Sequence, residues 1–173
     1  MGLSLMNEYS LSFIQSIVLI SIYYVLANAI IKNTKIEKNF FNYLFLYHLI
    51  FCFIYILYCH FEISDARTTH IFATISEFNS LSQQETAQFD LELGRPFMIL
   101  IVRYLSNPFQ LTFISVTVLF GLISYTGLLI LYWLIRKSIE DYNKFDIYLI
   151  RIFFFFPSLH FWQMSMSKDS LIF

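Results

Sequence analysis

A chain of 173 residues that is 58% apolar and only 13% charged has too little polar surface to wrap a core in water, so its composition is that of a protein dissolved in lipid. The formal net charge of −1 offers no concentrated basic face, which excludes nucleic acid and leaves the lipid bilayer as the expected partner. Cys52 and Cys59, the two cysteines, lie a heptad apart in one apolar segment without metal-ligand spacing, and read as reduced packing residues rather than ligands.

Leu11 to Ile31 carries no charge and, at about 1.5 Å per residue, is long enough to cross about 30 Å of hydrocarbon. Ala27-Asn28-Ala29 is similar to a signal-peptidase site. The residues before this span, however, offer Glu8 and no lysine or arginine, and the apolar run continues through Ile31, so a retained anchor is expected. Lys32, Lys35 and Lys38 follow against a single Glu37; by the positive-inside rule this connection is cytoplasmic and the N-terminus is outside. Phe40 to Phe61 returns through the membrane. Its His48 reads as a neutral histidine bonded to a neighbouring helix, with a proton-relay role as the alternative.

Residues 62–108 form the expected outer loop, with Glu62, Asp65, Glu77, Glu85, Asp90 and Glu92 against Arg67 and Arg95. Ile71, Ile75 and Phe78 recur at helical spacing, so Ser64 or Asp65 caps a short helix on the membrane surface. Phe97 to Leu105 is too short to span and meets Asn107-Pro108. This predicts an interfacial or re-entrant helix, with Arg103 snorkelling to headgroups or facing an enclosed polar cavity.

Residues 109–135 make the third span, in which Gly121 and Gly127 allow a neighbouring helix to come close. Arg136, Lys137 and Lys144 mark its cytoplasmic end. Asn143 or Asp146 starts a fourth span over residues 147–161, with Arg151 snorkelling to the cytoplasmic side. Pro157 weakens the helix locally, and His160 and Trp162 suit the headgroup level. Ser165 or Ser167 then caps a new helix with Asp169 in its first turn, and residues 168–173 begin a further span. The expected fold is all-α: one membrane domain over residues 1–173, a polytopic transmembrane helix bundle of about four spans plus an interfacial helix. Because the chain stops within an apolar phrase, Leu171-Ile172-Phe173, an incomplete bundle is expected.

The stretch Phe156 to Phe173, F-P-S-L-x-F-W-x-x-S-x-x-K-D-S-L-I-F, resembles a segment of bacterial multi-spanning glycosyltransferases of the GT-C type and of related polysaccharide polymerases. The likeness covers these residues closely and the rest of the chain only in layout. It implies an enzyme of the inner membrane that uses a polyprenyl-linked sugar donor on the outer face. Asp65 then occupies the place of the acid that serves as catalytic base or helps to hold a divalent metal ion beside the lipid diphosphate. Lys168 would grip the phosphate beside a helix N-terminus, with Asp169 and Arg103 assisting in substrate binding. This chain departs from the pattern by an additional span before the loop, and by His70 where an aromatic residue is common. The plainer readings are that Asp65 caps the surface helix and that Lys168 and Asp169 are interfacial charges. Two other classes stay open: a membrane carrier or flippase, and a non-catalytic subunit beside other membrane subunits. Walker, dinucleotide, zinc-helix and nucleophile-elbow motifs are all lacking, so ATP-driven and nicotinamide chemistry find no support.

Overall fold

The structure, a computed structural model, describes residues 2–32, 34, 36–62, 64–74, 95–138 and 144–164, without the side chains of residues 2–8, 65, 95, 96 and 144–146. The elements are α1 (Gly2–Ile31), α2 (Lys38–Phe61), α3 (Asp65–Thr74), α4 (Arg95–Phe109), α5 (Phe113–Ser138), α6 (Lys144–Phe153) and α7 (Pro157–Trp162). No strand occurs among the described residues, as an all-α membrane bundle requires: in lipid a helix satisfies its own backbone, and an open sheet edge does not. Three helices are long and apolar enough to cross a membrane, at Tyr9–Ile31, Lys38–Phe61 and Phe113–Ser138. Their positions match the first three expected spans.

α5 is the axis of the bundle, with α1 and α2 packed against it. Lipid tails are as apolar as leucine, so burial alone gives these helices no reason to associate. Close packing and interhelical hydrogen bonds supply one. Tyr125 of α5 is fully buried, meets the rings of Tyr23 from α1 and Phe45 from α2, and donates its hydroxyl to the Phe41 carbonyl at 2.9 Å. Tyr23 bonds Thr126 across the α1–α5 seam at 2.8 Å. The opposite face of α1, with Phe13, Val25 and Ile30, stays exposed and suits lipid.

α4 and α5 meet at a sharp turn. Helix α4 runs through Asn107-Pro108, where a break was expected, and ends two residues later because Gln110 adopts a left-handed conformation, φ 48°. The Leu111 amide then reaches back to the Ser106 carbonyl at 3.0 Å, the closing bond of a Schellman cap. A glutamine in this region costs about 1 kcal/mol or more, which glycine avoids. Gln110→Gly should therefore raise stability by up to about 1 kcal/mol in a reversible detergent-unfolding titration.

The fourth expected span does not form one helix. Within residues 147–161 the ladder tightens at Phe154, Phe155 and Phe156, whose amides bond three residues back to Arg151, Ile152 and Phe153 at 2.9–3.2 Å. Pro157 follows as the first residue of α7. Its ring disfavours a helical Phe156, which is extended with ψ 122°, so the chain bends here. The bend carries His160 inward, correcting its expected place at the headgroups: it is fully buried against α2, while Trp162 remains exposed. Arg151, before the bend, pairs with Glu37 and lies over the Phe40 ring, so it finds an ionic partner at the membrane rim.

Candidate functional site

Near the end of α2 and the start of α5 a cavity of about 720 Å³ opens between α1, α2, α3 and the α4–α5 turn. Its construction begins with Ser64, which caps α3: the Ser64 Oγ accepts from the Arg67 amide at 3.2 Å, and its carbonyl accepts from the Thr68 amide at 3.1 Å. From that start, helical spacing divides α3 into two faces. Ala66, Thr69 and Ala73 are buried as α3 packs along α4, whereas Arg67, His70, Ile71 and Thr74 line the cavity.

The other walls add His60 from the last turn of α2, Asn107 from α4, and Gln110 and Thr112 from the turn, over apolar Ile56 and Phe113. His70 approaches the Leu111 carbonyl at 3.4 Å and sets its ring edge-on to Phe113. The turn itself is held by one side chain of α1. Gln15 donates to the Gln110 carbonyl at 3.1 Å and accepts from the Thr112 amide at 3.3 Å and the Ser115 hydroxyl at 2.8 Å. One guanidinium, two imidazoles and amide groups surround the opening, and no Asp or Glu is among the described lining residues. Such a wall suits an anionic headgroup, and the apolar patches suit the chain attached to it.

The residues expected from the sequence fall in several places. Asp65 is the first residue of α3, two residues before the lining residue Arg67, and its side chain lies outside the described residues. Lys168 and Asp169 lie outside the described residues as well. Arg103, on α4, turns away from the cavity to the end of α3, where its Nε donates to the Ala73 carbonyl at 3.4 Å. His48 is deep in the bundle and bonds a neighbouring helix, the Gly121 carbonyl of α5, at 2.8 Å. The two cysteines are free and buried. Among the described residues no group of three His, Cys, Asp or Glu gathers that would hold a metal ion.

Several of the cavity's polar residues, His60, Gln110 and Thr112 among them, had no place in the sequence reading, and Asn107 entered it only as a helix breaker. Gln15, which orders the turn, did carry a signal, being the sole glutamine in an uncharged, mostly apolar span. Fold and composition together define the class, an all-α membrane helix bundle. Comparison with known proteins finds no matching family, no matching curated sequence and no matching solved structure.

Proposed function

We propose that this chain is an integral membrane protein of a bacterial envelope that takes a polyprenyl-linked, phosphate-bearing sugar at the cavity between α1, α2, α3 and the α4–α5 turn. The observation that carries this reading is the lining: Arg67, His60 and His70 meet at one opening above Ile56 and Phe113, with no described carboxylate facing them. A guanidinium grips phosphate through paired hydrogen bonds, and the apolar patches accept the first units of a lipid chain. The likeness of Phe156 to Phe173 to lipid-linked-sugar enzymes points the same way. In a transferase, Asp65 at the start of α3 would take the proton of the acceptor hydroxyl as the sugar–phosphate bond breaks and the phosphate leaves with the bonding electrons.

Orientation follows from charge. Lys38 opens α2, and Arg136 and Lys137 close α5, at the rim opposite the cavity. By the positive-inside rule that rim is cytoplasmic, so the cavity faces outward and the N-terminus lies outside. A membrane-impermeant thiol reagent should then label a cysteine placed at Arg67, and not one placed at Lys137, in intact cells.

Binding tests the site directly. Purified protein in detergent should bind a short polyprenyl diphosphate, and Arg67→Gln should weaken it about 10- to 100-fold, the loss of a charge-assisted hydrogen bond of roughly 1.5–3 kcal/mol. Equal binding by the variant and the parent would remove the cavity from consideration.

A further inference from the structure

At mid-height of the bundle, well away from the cavity, the two buried histidines meet. His48 Nδ1 lies 2.8 Å from His160 Nδ1. The outer nitrogens face carbonyl oxygens: His48 Nε2 is 2.8 Å from the Gly121 oxygen, and His160 Nε2 is 2.6 Å from the Phe154 oxygen. A carbonyl only accepts, so each Nε2 must carry a hydrogen. Two neutral imidazoles hold two ring hydrogens between them, and both are used at the ends. The central contact would then set two bare lone pairs against each other at hydrogen-bonding distance. It becomes a bond only if one more proton lies between them.

We propose that His48 and His160 form a binding site for a single proton, held between their Nδ1 atoms and released through His48. In the bound state three ring protons serve three hydrogen bonds, and the pair carries one positive charge. The Gly121 and Phe154 carbonyl dipoles point at it, and the ring of Tyr47 from α2 meets His160 while that of Tyr125 from α5 meets His48. The charged and titratable groups around the pair are few. Tyr47 and Cys52 lie on α2 and Tyr125 on α5, and neither histidine forms an ion pair among the described residues. A buried cation without a counter-ion is costly, which makes the proton releasable.

The geometry also shows which nitrogen lets go. Ser124 Oγ stands 3.4 Å from His48 Nε2 and donates to the Gly121 carbonyl at 2.9 Å. When the Nε2 proton leaves for the aqueous phase, its electron pair stays on the nitrogen, and the serine hydroxyl turns from the carbonyl to that lone pair. His48 then donates from Nδ1 to His160 and keeps every remaining hydrogen bonded. Among the described residues His160 has no such substitute for its bond to Phe154, so its Nε2 proton stays. Proton release thus loosens the α2–α5 contact at Gly121 while α7 keeps its internal tie.

The test is a nitrogen NMR titration of the full chain in lipid nanodiscs, with labelled histidine and chelator present. The chain has four histidines, and a His60→Gln/His70→Gln variant leaves only the pair visible. Between about pH 5 and pH 9 the pair should pass from three ring protons to two, with His48 switching from an Nε2–H donor to the Nδ1–H tautomer while His160 keeps Nε2–H. A pair holding two protons at every pH in this range overturns the proposal, as does release from His160 instead of His48.

Discussion

Replacing His48 or His160 singly by leucine is expected to destabilise the bundle by about 3 kcal/mol, and replacing both by about 4–5 kcal/mol, less than the sum of the two changes. The expectation rests on which energy dominates. A hydrogen bond within a membrane contributes only about 0.6 kcal/mol on average, because the separated helices also find partners in lipid. The orphaned imidazole left by a single substitution costs far more, roughly 1–3 kcal/mol for a buried polar group without its partner, besides the lost packing. Removing the second histidine removes the orphan. Its former carbonyl partners keep part of what they need: Gly121 still accepts from Ser124. The double variant should therefore recover about 1–2 kcal/mol of the summed single losses. Reversible unfolding in mixed detergent, followed by helical circular dichroism, measures all three variants. Losses that simply add would mean that the rings, though 2.8 Å apart, do not share an energy.

How far the sequence carried this fold depends on what each residue type encodes. Uncharged runs bounded by lysine and arginine located α1, α2 and α5, because a hydrocarbon layer imposes a length on any helix that crosses it. The cap of α3 was legible to within one residue, as Ser64 or Asp65, and the Arg67 amide bonded to Ser64 Oγ assigns it to the serine. The reading failed where a short-range signal competed with a long apolar run. Pro157 was read as a local weakness inside a span, whereas it ends one helix and starts another, and the bend sends His160 to His48 across 112 residues of sequence. No periodicity in a single chain announces that pairing. The cavity was legible only in part. Arg67 was read as a cation among the acids of its loop; His60 joins it from the last turn of α2, and Gln110 from the α4–α5 turn, whose shape depends on the backbone of a residue type that rarely adopts it.

A bulky residue at Gly121 tests whether the segment after α7 is seated on α5. A Cβ there would stand 2.7 Å from Met164 Sδ and 3.6 Å from Cys52 Sγ, so the absence of a side chain is what lets the chain beyond α7 lie against the helix. Gly127, the other glycine expected to admit a neighbour, is only half-buried. For Gly121→Val, helix propensity is nearly neutral or slightly favourable, glycine being the poorer helix former by a few tenths of a kcal/mol. Overpacking works against it by about 1–3 kcal/mol, and Met164 is fully buried, so the thioether has no open space to move into. The steric cost therefore outweighs the gain in helix propensity. Gly121→Val should cost about 3 kcal/mol, part of it through His160, since pushing Met164 off α5 also draws α7 away from His48. Met164→Ala creates a cavity on its own and should cost about 2 kcal/mol or more, yet in the valine background the same truncation makes room for the new methyl groups. The double variant should be more stable than Gly121→Val alone, a reversal of sign that only direct contact produces. If Met164→Ala lowers stability equally in both backgrounds, the thioether does not rest on Gly121, and the inward path of the chain after Pro157 is wrong.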